Sequence, residues 1–421
     1  MTQARVMVTY FRLMVLPIHQ QVDYDYRVVT HFQALIVPLL LISATIYIAW
    51  RVRRSNPHLA FGICWFYLAH TVEAITFTLP DVIFEHRLYL PSGAGCLCLL
   101  ALLPLLKNKI RFVMFPAALL VLVLTGLTWQ RNQLWCVPLD LWTQNLEYAP
   151  FKARVWLSRA LVYREQQQLQ QALEDAECAS ALNSRYRLAH VTRGLLLAGM
   201  NKHRAAVEAY GQALQLMSAD SDMHNARGVS LLELGRAREA LADFDAALVL
   251  RPGRVQTLAY RGAALDGLNR LDEALSAFDA ALAVNDEFPQ THLFRATTYL
   301  KLNRGEDAVA EYQRLLELDA DNRKVYVTLA RLLYGLGRVD EAGTLLDRTV
   351  ARFPDYGTAY FNRAVIQFAN LQWQAAVDDL TTAISHQPTA QAYYRRGLAW
   401  KELNNETAAA ADLQTAKDMG L

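Results

Sequence analysis

The chain changes its hydrophobic pattern sharply near residue 150. Between residues 32 and 129 apolar residues run almost without interruption, in four stretches at 32–50, 59–79, 88–106 and 112–129. Each has close to the ~20 residues that cover ~30 Å of hydrocarbon at 1.5 Å per residue, which predicts a membrane domain of four spans over residues 32–130. Pro38, Pro104 and Pro116 fall inside these stretches, where neighbouring helices can satisfy the freed carbonyls. Upstream, residues 4–18 are apolar but too short to span. Arg5, Thr9 and Arg12 recur there at helical spacing as one polar stripe, so an interfacial amphipathic helix is expected within an outer segment 1–31. A cleaved signal peptide is the competing reading, and Pro17-Ile-His-Gln-Gln makes a poor cleavage site. Residues 131–152 read as a helical linker, and from 153 to 421 the long runs give way to the 3.6-residue periodicity of amphipathic helices.

The short loops set an orientation for the four spans. Arg51, Arg53 and Arg54 follow the first, and Lys107, Lys109 and Arg111 separate the third from the fourth. The loop between the second and third has only Arg87, beside Asp81 and Glu85. The positive-inside rule places the two basic loops in the cytoplasm. The expectation is a multi-pass inner-membrane protein in contact with the lipid bilayer, with residues 131–421 on the periplasmic, extracytoplasmic side. His70 and Glu73 lie three apart on one face of the second span. They line a polar cavity near the outer face, or simply pair with each other, since an ionisable group in a span must face protein or water.

From residue 153 the sequence repeats with a period of about 34 residues. In the unit starting at Ser221, large residues stand at positions 4, 11 and 24 (His224, Leu231, Phe244) and small ones at 8, 20 and 27 (Gly228, Ala240, Ala247). The unit at Val255 repeats this with Leu258, Gly262, Leu265, Ala274, Phe278 and Ala281. Eight units start near 153, 187, 221, 255, 289, 323, 357 and 390, the seventh being one residue short. This pattern resembles the tetratricopeptide repeat (TPR), a helix hairpin whose apolar face is covered by the next hairpin. The resemblance implies a right-handed α-solenoid with a concave groove. The expected fold is therefore all-α, a four-helix transmembrane bundle followed by a TPR array.

Arginine occupies position 7 in seven units: Arg159, Arg193, Arg227, Arg261, Arg295, Arg363 and Arg396. Position 23 is acidic in five: Asp175, Asp243, Glu311, Asp379 and Asp412. Carboxylates recurring in step with arginines favour structural pairs between the two helices of a hairpin over a ladder for an anionic ligand. In the TPR fold, positions 2, 5, 9, 12 and 13 of the first helix line the groove. The resemblance assigns Tyr334, Phe361, Phe368, Tyr394, Lys324, Arg331 and Lys401 to it, and an aromatic, basic groove suits an extended peptide or amphipathic helix; the plainer reading is a groove left empty or filled by the chain's own end.

Composition narrows the chemistry. The formal charge is +2, without the basic surplus of a nucleic-acid binder. Five cysteines in no zinc spacing give no metal site, and a Cys136–Cys178 disulfide would need an oxidising compartment. There is no nucleophile elbow or phosphate loop, so no catalytic residue and no cofactor are expected.

A second resemblance covers essentially the whole chain. Asp81-Val-Ile-Phe-Glu-His-Arg-Leu-Tyr-Leu-Pro-Ser, Phe61-Gly-Ile-Cys-Trp-Phe, Arg131-Asn-Gln-Leu-Trp and Pro150-Phe-Lys-Ala-Arg together resemble the membrane–TPR junction of the transmembrane-and-TPR O-mannosyltransferases and bacterial relatives. These belong to the GT-C glycosyltransferase superfamily. The acidic outer loop that carries catalysis in that family has no counterpart here. The resemblance implies a C-terminal part without acid/base machinery. Within it, Glu85, His86, Arg87 and Tyr89 are candidates for holding the phosphate of a polyprenyl-phosphate sugar, with Arg87 foremost; the plainer reading is a Glu85–Arg87 loop ion pair. Two functions follow: a membrane-anchored scaffold presenting a peptide-binding groove, or a non-catalytic part of a lipid-linked sugar transferase.

Overall fold

A computed structural model describes residues 2–15, 35–76, 98, 101 and 110–421. These form two compact units, 1–217 and 218–421. The first holds nine described helices: α1 (Thr2–Val15), α2 (Ile36–Val52), α3 (Pro57–Thr76), α4 (Ile110–Cys136), α5 (Pro138–Tyr148) and two hairpins, α6 (Ala153–Glu165) with α7 (Leu169–Leu182), and α8 (Arg187–Gly199) with α9 (His203–Leu216). The second holds six hairpins. They are α10 (Ser221–Glu233) with α11 (Ala237–Leu250), α12 (Val255–Gly267) with α13 (Leu271–Val284), and α14 (Pro289–Lys301) with α15 (Gly305–Leu318). Then come α16 (Arg323–Gly335) with α17 (Val339–Arg352), α18 (Gly357–Ala369) with α19 (Trp373–His386), and α20 (Ala390–Glu402) with α21 (Glu406–Asp418).

The four-span expectation is overturned: among the described residues no helix is long and apolar enough to cross a membrane. α2 has 17 residues, about 26 Å at 1.5 Å each, short of the ~30 Å required. The sequence of α3 is interrupted by His58, His70 and Glu73. The third expected span, 88–106, lies outside the described residues except for Cys98 and Ala101. The fourth falls within α4, which runs on through Gln130, Arg131, Asn132 and Gln133 to Cys136. The inner-membrane localisation, the lipid contact and the periplasmic placement of the repeats were inferred from those spans and go with them. α1 buries Val6, Tyr10 and Leu13 and sets the half-exposed Phe11 edge-on to Phe66 at 6.2 Å. Cys136 and Cys178 are both unbridged.

The hairpins follow from residue size. Alanines at positions 20 and 27 have no exposed surface in the units starting at 153, 221 and 255, so the helices approach closely there. Position 8 faces the ring at position 24. A Cβ on Gly262 would lie 2.4 Å from Phe278 Cε1, one on Gly228 2.7 Å from Phe244 Cε1, and one on Gly194 2.5 Å from Tyr210 Cε1. Burial against these walls pushes the Tyr210 phenol up to about 12.

Each first helix ends in the same way. The residue at position 15 has positive φ in all eight units: Gln167, Asn201, Gly235, Asn269, Asn303, Gly337, Leu371 and Asn404. Paired backbone bonds close the turn, as in Asn269 N–H to Asp266 O and Arg270 N–H to Leu265 O, both 3.0 Å. This is a Schellman turn, which satisfies the last carbonyls of one helix and sends the chain back along it.

Candidate functional site

The arginines of position 7 are structural. Arg159 binds Asp175 through two parallel hydrogen bonds, Nε to Oδ2 at 2.7 Å and Nη2 to Oδ1 at 2.8 Å. Arg227 and Asp243, Arg363 and Asp379, and Arg396 and Asp412 do the same, each with partners sixteen residues apart. Some also reach sixteen residues back into the preceding hairpin, as Arg363 does to Asp347 at 2.8 Å and Arg295 to Asp279 at 2.7 Å. Hydrogen bonding to Asp175 holds the Arg159 guanidinium above its ordinary range. Two members vary. Arg193 meets Ser180 and Gln212 in place of a carboxylate. In the unit at 323 the pair is replaced by Leu329, fully within the apolar core, and Leu345 packed against that core. Histidines join the network: His292 lies between Glu311 Oε2 at 2.7 Å and the Asp286 carbonyl at 2.8 Å.

The ligand-accessible surface is elsewhere. In residues 218–421 a cavity of about 800 Å³ opens along the first helices of the last three hairpins. α16 contributes Arg331 and Tyr334, α18 contributes Thr358, Phe361, Asn362 and Val365, and α20 contributes Gln391 and Arg395. Gln387 and Thr389, in the linker before α20, complete one wall. That linker is where the repeat is one residue short: three residues separate α19 from α20, and Thr389 caps the new helix by accepting from Ala392 N–H. The Arg395 guanidinium sits 5.9 Å from the Phe361 ring centroid. The Asn362 amide donates to the Thr358 carbonyl at 2.7 Å, which fixes its rotamer.

Of the groove residues assigned from sequence, Arg331, Tyr334 and Phe361 meet in this cavity; Lys324, Tyr394 and Lys401 are exposed outside its wall. Phe368 turns toward the core, packing on the Leu380 cluster and edge-on to Trp373 at 5.3 Å. Asn362 and Arg395 stand at position 6, outside the rule used to choose groove residues. The signal for Arg395 was available: it adjoins Arg396, which alone of the two fits the recurring ion-pair position. Glu85, His86, Arg87 and Tyr89 lie outside the described residues, as do the side chains of His70 and Glu73. Among the described residues no group of His, Cys, Asp and Glu is placed to hold a metal ion.

Two family models, both described as tetratricopeptide repeat, match the chain. One covers residues 191–255, 261–323 and 367–420, the other 299–365. Nothing among curated proteins matches. Solved structures similar to this chain include a tetratricopeptide repeat protein from Parabacteroides merdae ATCC 43184, at 20% identity over 56% of this chain and 93% of that one, TM-score 0.42. Others are PilW, a type IV pilus biogenesis factor, at 21% identity over 48% and 94%, TM-score 0.44, and YrrB, described as a TPR protein with an unusual peptide-binding site, at 21% identity over 44% and 95%, TM-score 0.38.

Proposed function

Because this chain belongs to the tetratricopeptide repeat family, we propose that it is a scaffold whose first-helix face holds an extended segment of another protein. The observation that carries this reading is the cavity across α16, α18 and α20. It is open, it joins aromatic and aliphatic surface to polar groups, and it crosses three successive hairpins, as an extended ligand requires. A helix surface that merely faced solvent would not set Tyr334, Phe361 and Val365 around one concavity. The Arg–carboxylate pairs make the frame rigid, so little ordering cost falls on binding.

The alternative, a non-catalytic part of a GT-C transferase, draws on a resemblance whose motifs lie in residues 3–154. The residues at its centre, 81–92, lie outside the described ones, and neither family model extends to them. A scaffold needs nothing from that region.

The test is selection of displayed random peptides on the full chain, in parallel with a Tyr334→Ala/Phe361→Ala variant. Sequences enriched on the native chain and lost on the variant are expected. Enrichment indifferent to both substitutions would remove the cavity as the binding site.

A further inference from the structure

We propose that the segment taken by this cavity is acidic, with carboxylates spaced about six residues apart around an apolar side chain; this rests on the peptide-groove reading above. The argument is one of charge accounting. In residues 218–421 arginines are consumed by carboxylates almost wherever they occur: Arg227 by Asp243, Arg254 by Asp222, Arg295 by Glu311 and Asp279, Arg338 by Glu306 and Glu341. Arg238, Arg348, Arg331 and Arg395 are the exceptions, meeting no carboxylate among the described residues, and of these only Arg331 and Arg395 line the cavity. No aspartate or glutamate side chain lies in its wall. Lys324 and Lys401, on the same helices α16 and α20, are exposed and likewise unpaired. Arg331 and Arg395 therefore face a cavity, also lined by Leu421, with no side-chain carboxylate in its wall, while the guanidinium groups of position 7 are paired.

The spacing follows from the repeat. Arg331 and Arg395 stand two hairpins apart, and packed helices lie ~8–10 Å from one another, which puts roughly 20 Å between the two first helices. An extended chain rises ~3.3 Å per residue, so about six residues separate the carboxylates that meet them. Between the two cations lie Phe361 and Val365 of α18, with Tyr334 beside Arg331. That surface takes an apolar side chain, and the Asn362 and Gln391 amides are placed for backbone groups of the ligand. Arg395, held over the Phe361 ring, keeps its guanidinium edge free to donate two parallel hydrogen bonds to a carboxylate.

The experiment uses the full chain and fluorescence anisotropy of a labelled peptide of about eight residues, with aspartate and glutamate at both ends and leucine at the centre. Its comparators replace the acids by their amides or by lysine. The acidic peptide is expected to bind most tightly and to weaken on the order of 10-fold between 50 and 300 mM salt. Arg331→Glu/Arg395→Glu, two positions without ion pairs to lose, is expected to keep its far-UV circular dichroism, weaken the acidic peptide on the order of 10-fold and gain the lysine peptide. Equal binding of the amide peptide, or acidic binding unchanged in the double variant, overturns the charge assignment. If neutral peptides bind and Phe361→Ala abolishes them, the groove reading survives that loss. If Phe361→Ala alters no peptide of any charge, the groove reading fails and the acidic ligand with it.

Discussion

Leu371 is the residue at odds with its backbone. It occupies the left-handed position that asparagine or glycine fills in six of the other hairpin turns, with φ of 58° and most of its side chain in water. A side chain with a Cβ pays roughly 1–2 kcal/mol in that conformation, and asparagine offsets part of it by local hydrogen bonding. Leu371→Asn should therefore stabilise the chain by about 0.5–1 kcal/mol, read as an upward shift of the urea midpoint with an unchanged slope. Asparagine or glycine at position 15 in six of the eight units announces this left-handed turn in the sequence, and Gln167 and Leu371 are the two that do not carry the signal. Glu311 makes a prediction in pH. Burial works against its ionisation, but hydrogen bonds from His292 and Arg295 prevail and hold it below its ordinary value of 4.5. A carboxylate depressed in the folded state stabilises above its unfolded pKa, and that contribution is lost as pH falls through the folded value. Thermal stability should drop below about pH 4.5, and Glu311→Gln should be less stable at pH 7 but flatter across the acid range.

At the level of the hairpin, much was legible in advance. The helices of the repeats start at Ala153, Arg187, Ser221, Val255, Pro289, Arg323, Gly357 and Ala390, at the spacing read from small and large residues, because close helix approach tolerates only Gly or Ala at fixed places. The Arg–carboxylate pairing was legible too, through two residue types recurring in step. The cavity was only partly so. Position rules found Arg331, Tyr334 and Phe361 but put Phe368 in the groove, where the neighbouring Trp373 draws it into the core. Hydropathy alone misread the described part of residues 32–129, since a continuous apolar run has no periodicity to say what covers it or where its helices end. The swap of Arg and Asp for Leu329 and Leu345 leads to a prediction elsewhere. Asp175 is almost fully buried, with Arg159 as its partner. Arg159→Leu strands that carboxylate and should cost about 3–5 kcal/mol, whereas Arg159→Leu/Asp175→Leu should recover most of the loss. Chemical denaturation of the single and double variants decides this, and a double variant no better than the single would refute it.

For the whole chain, stability is expected to be plural. The two units, 1–217 and 218–421, are each compact by themselves, and repeat arrays add up local terms without one shared core. Trp373 and Trp400 report on the second unit alone. In a variant retaining only these two tryptophans, fluorescence and far-UV circular dichroism should give non-coincident unfolding curves; superimposable curves would mean a single cooperative transition. The shortened linker at Gln387–Thr389 has a consequence of another kind. Hairpins keep one register from Ala153 to Gly357 and slip by a residue at Ala390. Any block cut between earlier starts, such as residues 255–288, can be duplicated and spliced back in phase. A block carrying residues 387–389 imports the one-residue slip and leaves every later hairpin out of phase with the earlier ones.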